Sequence, residues 1–314
     1  VGKLYADTTM RTIDYQPMIW LSWRKKKMRV SLNYNGRTRQ PSLSDLMPLT
    51  DNSDPLYITR GNPDLKQMFM HTMHVSFQHP SKGISANLGW QMEKNSVTQV
   101  VLYDVQTGGR ETYPININGN WNTYGSADWW KRFGHFSLKL STSGRHSNRV
   151  SMINEDRSQQ PEKSTTRDTG LNCEMAASYQ PTWGGFDFST SWDYQYSLNS
   201  LNGNNTYTRY YNFRFDGYVD FPFGLQLRTD AGYILRSGTN IQKGEDDEIV
   251  WNARATWRFL KQRKAELSAC WADILGKRKS YARMATSDGF YESRTQEIKG
   301  YFIVTFKYNF RLMM

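Results

Sequence analysis

The sequence is poor in cysteine and has no long hydrophobic run. Its two cysteines among 314 residues, Cys173 and Cys270, make neither a disulfide framework nor a zinc site. No stretch approaches the roughly 18–20 consecutive apolar residues of a membrane-crossing helix, which excludes a helical membrane protein. The opening residues Val1-Gly2-Lys3-Leu4 have neither an initiating Met nor the pattern of a signal peptide, so we expect the interior of a longer precursor. Catalytic motifs are missing too. There is no H-E-x-x-H and no G-x-S-x-G, and Trp271 stands where a phosphate loop ending in Gly276-Lys277 needs its first Gly. The expectation is no enzyme, no catalytic or metal-binding residue and no cofactor.

Aromatic residues, by contrast, are abundant: 11 Trp, 19 Tyr and 15 Phe are too many for a disordered chain. The formal charge is +11, from 40 Lys and Arg against 29 Asp and Glu. The basic residues are spread over turns, loops and alternate strand positions, and no DNA- or RNA-binding module is recognisable, so nucleic acid is not an expected partner. Turn cations such as Lys25, Lys26, Lys131, Arg132 and Lys264 suit anchoring at a membrane surface, and a basic exterior suits lipopolysaccharide phosphates.

The strongest signal is alternation with period two. Phe186, Phe188, Thr190, Trp192 and Tyr194 alternate with Asp187, Ser189, Ser191 and Asp193. The same holds for Tyr211–Val219, Leu225–Leu235, Trp251–Phe259 and Phe302–Phe310. A helix would group apolar residues at spacings of three and four, so these are strands with one apolar and one polar face. Short links (24–27, 80–83, 131–134, 181–185, 221–224 and 261–264) alternate with long polar ones (about 37–67, 146–165, 197–208, 236–247 and 276–297). Short turns at one end and long loops at the other predict an all-β, up-and-down antiparallel β-barrel of the outer membrane.

Thirteen strands are expected: 17–24, 28–36, 69–79, 83–104, 111–130, 135–145, 166–180, 185–197, 208–220, 225–236, 248–260, 265–275 and 298–311. Most exceed the 9–11 residues that cross a tilted bilayer, whereas soluble sandwich strands run nearer five or six. A large soluble β-protein is the competing class. Trp20, Trp23, Trp129, Trp130, Trp183, Trp192, Trp251 and Trp257 are candidates for interfacial girdles, and a mean hydropathy of −0.73 fits a wall with only alternate residues toward lipid. Lys94, Ser96 and Thr98 break the apolar parity, as expected where a strand projects beyond the membrane.

Function would lie on the polar parity. Arg214, Asp216, Arg228, Asp230, Arg254 and Arg258 are predicted to face the lumen, either as a ladder that holds and solvates the wall or as a surface that grips a plug and lines a solute path. His71 and His74, three apart on a strand, point to opposite faces and cannot share a metal. Cys173 and Cys270 fall on opposite parities, which predicts two free thiols. The polar, aromatic-rich segment 199–210 suits capture of a sugar, peptide or metal chelate.

Three segments carry a family resemblance. The first reads Arg39-Gln40-Pro41-Ser42-Leu43, then Ser53-Asp54-Pro55-Leu56, then Gly61-Asn62-Pro63-Asp64-Leu65-Lys66, with Gln67-Met68 where a Pro-Glu is usual. The second is Trp271-Ala272-Asp273-Ile274-Leu275-Gly276. The third is the final strand with Phe306, Tyr308 and Phe310, followed by Arg311–Met314. In order and spacing they resemble the C-terminal barrel of TonB-dependent outer-membrane receptors, especially the outer-membrane β-barrel family abundant in Bacteroidetes. The resemblance covers essentially 1–314 as one barrel domain. It implies a 22-strand barrel with an N-terminal plug and a TonB-contacting segment upstream, a final strand read by the barrel-assembly machinery, energised uptake of a scarce or bulky substrate, and in many relatives a substrate-binding lipoprotein partner. A plugless barrel acting as porin or surface-assembly scaffold is the alternative. A fourteenth strand from residues 1–10, closing a smaller barrel, is the structural rival.

Overall fold

The computed structural model describes residues 12–104, 108–154, 160–201, 203, 205–239, 241, 247–286 and 289–310. The wall is built from β1 (Met18–Lys25), β2 (Met28–Arg39), β5 (Met68–His79), β6 (Ile84–Lys94), β9 (Trp121–Phe133), β10 (Phe136–Ile153) and β11 (Glu162–Tyr179). It continues through β12 (Gly184–Asn199), β13 (Asn205–Asp220), β14 (Leu225–Gly238), β15 (Glu248–Phe259), β16 (Ala265–Ala272) and β19 (Tyr301–Tyr308). Each pairs antiparallel with the next in this order. Four short strands of the same seventeen-stranded sheet lie in the long connections: β3 (Thr50–Asp51), β4 (Tyr57–Arg60), β7 (Ser96–Tyr103) and β8 (Arg110–Ile117). Thirteen strands therefore form the wall. A separate hairpin of β17 (Ser280–Thr286) and β18 (Gly289–Thr295) occupies the last long connection, and a single helical turn, α1 (Leu43–Leu46), the first. No described helix is long and apolar enough to cross a membrane.

Register carries one apolar face across the whole wall. Trp129 lies opposite Leu140, Leu140 opposite Met175, Met175 opposite Thr190, and Thr190 opposite Phe213, which in turn faces Tyr233. One step along each strand, Asp128, Ser141, Glu174, Ser191 and Asn212 form the matching polar row. Because the side-chain period is two, a slip of one residue anywhere would exchange the faces, so the alternation in sequence fixes the register. No described part of the chain covers the apolar face: Leu140, Met175, Phe213 and Trp257 are all more than a third exposed. The few buried apolar side chains among the described residues include Leu65, Val100, Pro114, Val150 and Ala265, and the first four belong to the loop end rather than to a core between layers. A soluble sandwich would bury one face of its sheet against another; this sheet buries neither.

Two expected strands are each broken in two. The run 83–104 ends its first half at Lys94, because Asn95 takes a left-handed φ of 55° and its N–H is bound by Asn118 Oδ1 at 2.8 Å. The run 111–130 breaks at Asn118-Gly119-Asn120, with Gly119 at φ 117°. The freed halves, β7 and β8, pair with each other as a hairpin off the wall. Lys94 is thus the last residue of β6, and Ser96 and Thr98 belong to the hairpin. The expected link 146–165 is instead mostly strand, since β10 and β11 pair for eighteen residues each and rise past the apolar band.

Among the described residues β1 pairs only with β2 and β19 only with β16, and every residue of both is exposed. The sheet is open. With thirteen alternating strands, β1 and β19 run in the same direction, so direct closure would require a parallel seam. The expected fourteenth strand at 1–10 lies outside the described residues, as do Arg311–Met314.

Candidate functional site

The six charged residues predicted to share a face do so. Asp216 lies opposite Asp230, Arg228 opposite Arg254, and Arg258 opposite Glu266; Arg214 sits on the same face, opposite Gly232 and Ser189. Asp216–Asp230 and Arg228–Arg254 are rows of like charge, bridged diagonally by Arg228 and Asp216, whereas Arg258 and Glu266 attract directly across the strands. Arg228 grips Asp216 with Nη2 at 3.0 and 2.8 Å from the two carboxylate oxygens, a forked pairing that fixes orientation. Asn252 Nδ2 donates to Asp230 at 2.6 Å, and Arg258 Nε to Glu266 at 2.8 Å. These pairs are half-exposed, so they order the surface more than they stabilise the fold.

Toward the loop end the polar face holds a groove of about 760 Å3, lined among others by Glu93, Asn122, Tyr124, Arg145, Asp168 and Gln195. Asp168 is its organising group. It accepts from Arg149 Nη2 at 2.6 Å and from Ser197 Oγ at 2.7 Å. Arg149 lies in 146–165, which carries no apolar alternation and reads as a link; Arg145 and Asp168 lie at the ends of expected strands, where their polar parity was the available signal. The segment 199–210 contributes Thr206, Tyr207 and Thr208 to this groove as part of β13 rather than as a loop.

The motif segment 39–66 proves to be a structural clamp at the loop end. Arg39 closes β2 opposite Met68, and Pro41 leads into α1, whose N-cap Ser42 accepts from Asp45 N at 3.1 Å. Asp54 Oδ1 accepts from Leu56 N at 2.9 Å, turning the chain through Pro55 into β4. Gly61 passes so close to the backbone of Met47 that a Cβ would lie 1.9 Å from its carbonyl oxygen. Asn62 N donates to Asp45 O at 2.6 Å, and its side chain reaches Pro114 O on β8 at 3.0 Å, while Pro63 carries the chain on to the buried Leu65. Asn116 then exchanges two bonds with the backbone of Lys66, 2.6 and 2.9 Å, and gives a third to Asn95 O. Arg60 bridges to Glu111 at 2.7 Å and stacks over Tyr113. Strand β4 joins β8 in parallel, and β7 joins the tip of β10. Three long connections are thereby knitted into one cap. In the cap, Ser53 donates from both Oγ and N to Asp51, which holds that carboxyl below the ordinary aspartate value.

The other two motif segments have equally local explanations. Asp273, fully buried at φ 46°, accepts from Lys277 N at 3.1 Å and Arg278 N at 3.2 Å, so its carboxylate folds the chain out of β16. In β19, Phe306 and Tyr308 lie on the apolar face opposite Leu267 and Ala265, and Phe310 just beyond packs edge-on against Tyr308 at 4.6 Å.

His71 lies on the apolar face opposite Met92 and His74 on the polar face opposite Gly89, so they are apart as expected. Cys173 and Cys270 are free and lie on opposite faces. The tryptophan girdle needs correction. Trp23, Trp129 and Trp257 stand on the apolar face near the short turns, but Trp20 and Trp130 fall on the polar parity, opposite Asn33 and Lys139, and Trp192 is mid-strand. No group of histidine, cysteine and carboxylate side chains among the described residues has the arrangement of a metal site.

A meandering antiparallel wall with an exposed apolar face, a charged opposite face and all its long connections at one end is the wall of an outer-membrane type of β-barrel. Residues 12–195, more than half of the chain, match the outer membrane protein beta-barrel family, and the chain belongs to it. It is therefore a protein of the bacterial outer membrane, with the apolar face toward lipid. A search of curated proteins finds no match.

Proposed function

We propose that the chain is the C-terminal part of the barrel of a TonB-dependent outer-membrane receptor, of the kind abundant in Bacteroidetes, serving energised uptake of a scarce or bulky substrate. The observation that carries this reading is the open wall. Its thirteen strands end in two parallel-running edges, and an antiparallel seam requires an odd number of further strands; nine would complete the 22 that the motif resemblance implies. In this reading the charged face lines the lumen, and Arg214, Asp216, Arg228, Asp230, Arg254 and Arg258 belong to the surface that grips an upstream plug and lines the solute path beside it. The knitted cap and the groove around Asp168 present the extracellular end to substrate. The TonB complex acts through the upstream plug, and a substrate-binding lipoprotein would sit over the cap. The chain contributes binding and passage and no covalent chemistry.

The test is the intact mass of the protein purified from outer membranes. A mass two to three times the 36.7 kDa of this chain supports the receptor, with plug and early strands upstream. A mass near 36.7 kDa overturns it and leaves a small porin or scaffold. Given the larger mass, uptake that collapses when the proton gradient is discharged separates a receptor from a passive pore.

A further inference from the structure

Among the described residues two arginines of the charge ladder, Arg214 and Arg254, have no carboxylate partner, and of these Arg254 lines a cavity. Arg254 stands directly opposite Arg228, an arrangement that is ordinarily unfavourable in a sheet. Arg228 is turned to the other side and forked onto Asp216. Arg254 has no such partner. Its nearest polar contact among the described residues is the Cys270 sulfur, 3.9 Å from Nη2, and no carboxylate pairs with it. The carboxylate best placed to do so, Asp230, is held by Asn252.

Around this guanidinium the polar face is concave. A cavity of about 340 Å3 is lined by Arg228, Asp230, Arg254, Cys270, Arg278 and Tyr301, among others. Three arginines thus border it against one aspartate. Arg278 is tied to Glu297 at 3.4 Å, whereas the Tyr301 hydroxyl has no partner among the described residues. Both unpartnered groups can donate: a planar guanidinium fork and a phenol hydroxyl. Free donors in a cavity lined by three arginines against one aspartate favour an oxyanion over a cation.

We infer that Arg254, with Tyr301, forms an oxyanion-binding station that takes a carboxylate or phosphate group of a passing solute. The station rests on the reading of the polar face as lumen. Its volume lies at the small end of ligand sites, enough for one charged group and not for a whole bulky substrate. A half-exposed site of this size holds its ligand weakly, which is what passage through a lumen needs. With Arg228 committed to Asp216, a bound anion would neutralise the charge that Arg254 is left with.

Cys270 supplies the readout. In a Cys173→Ser background, with the other thiol gone from the lipid face, outer-membrane fragments of the full-length protein are treated with anionic and cationic methanethiosulfonate reagents of matched size. The Cys270 thiolate attacks the reagent sulfur and releases methanesulfinate, leaving a mixed disulfide that mass spectrometry counts. The expected result is that both reagents react, the anionic one roughly thirtyfold faster, because one unit charge about 4 Å away in a water-like medium attracts one reagent and repels the other. Inorganic phosphate should slow the anionic reagent, and Arg254→Gln should abolish both the preference and the protection. The ratio of the two rates is used because any effect of the substitution on the thiol itself is common to both reagents and cancels. Heat-modifiable migration in gels establishes that the variant is folded, and Arg254→Lys should retain the rate preference.

Equal rates that phosphate leaves unchanged would overturn the station while keeping the face in water. An anionic preference without phosphate protection would also overturn it, reducing the effect to the general field of the wall. No reaction with either reagent would mean that the face does not line water, and the lumen reading would fall with the station.

Discussion

The side-chain amide of Asn62 donates to the carbonyl of Pro114 at 3.0 Å across 52 residues of sequence. That bond is one of several that join the first long connection to the second, beside the Lys66–Asn116 bonds and the Arg60–Glu111 bridge. Pro114 is buried, so losing the donor leaves its carbonyl with no access to water.

Asn62→Ala should therefore cost the cap about 1–3 kcal/mol against local opening. The readout is trypsin cleavage at Arg60 and Lys66 in intact outer membranes, expected to rise roughly tenfold, since 1.4 kcal/mol is a factor of ten. Heat-modifiable migration should not change, because the wall does not depend on the cap. Unaltered cleavage would mean that the clamp is held elsewhere.

Gly61→Ala should be worse than Gly232→Ala. A Cβ at 61 meets the backbone of Met47, which has no rotamer to give, whereas a Cβ at 232 meets nothing within 4 Å. Comparing the two variants by cap proteolysis and by folded yield separates steric exclusion from the general cost of replacing glycine. Equal behaviour of the pair would remove the close approach as the reason for glycine at 61.

Leu140 and Ser143, three residues apart on β10, lie on opposite faces. Leu140→Arg places a charge in lipid and should cost about 2–4 kcal/mol near the membrane centre. Ser143→Arg places the same charge on the polar face and should be tolerated within about 0.5 kcal/mol. Reversible urea unfolding in lipid vesicles measures both. A reversed order would mean that the faces have been assigned the wrong way round.

Asp273→Ala removes the acceptor for the N–H groups of both Lys277 and Arg278, and Asp273→Asn keeps one of the two. Hydrogen exchange over 274–279 should accelerate in both variants, more for alanine, with a loss of about 1–3 kcal/mol in local protection for each orphaned donor. Protection unchanged in the alanine variant would show that the turn folds without its carboxylate.

The wall was legible in the sequence, because alternation with period two is a property of each strand alone, and a strand with one apolar side has only one register that keeps that side continuous. The six charged residues on the polar face were legible for the same reason, as was the separation of His71 from His74 and of Cys173 from Cys270. Where the chain leaves the apolar band the signal stops. The break at Asn95, the β7–β8 hairpin and the extension of β10 and β11 past the membrane all involve polar residues on both parities, so nothing in the pattern distinguishes strand from loop there. Asn118-Gly119-Asn120 was the one local sign, a cluster that favours turns over strand interiors. The role of Asn62 could not be read at all, since its partner is a backbone carbonyl that any residue would carry. Nor could the sequence show that Arg228 turns toward Asp216 and leaves Arg254 facing a thiol. Pairing of like with like across strands follows from register, but which charge finds a diagonal partner depends on side-chain reach in the assembled sheet. Periodic hydrophobicity thus determined the wall; long-range hydrogen bonds, which have no period, decided the cap and the unpaired arginine.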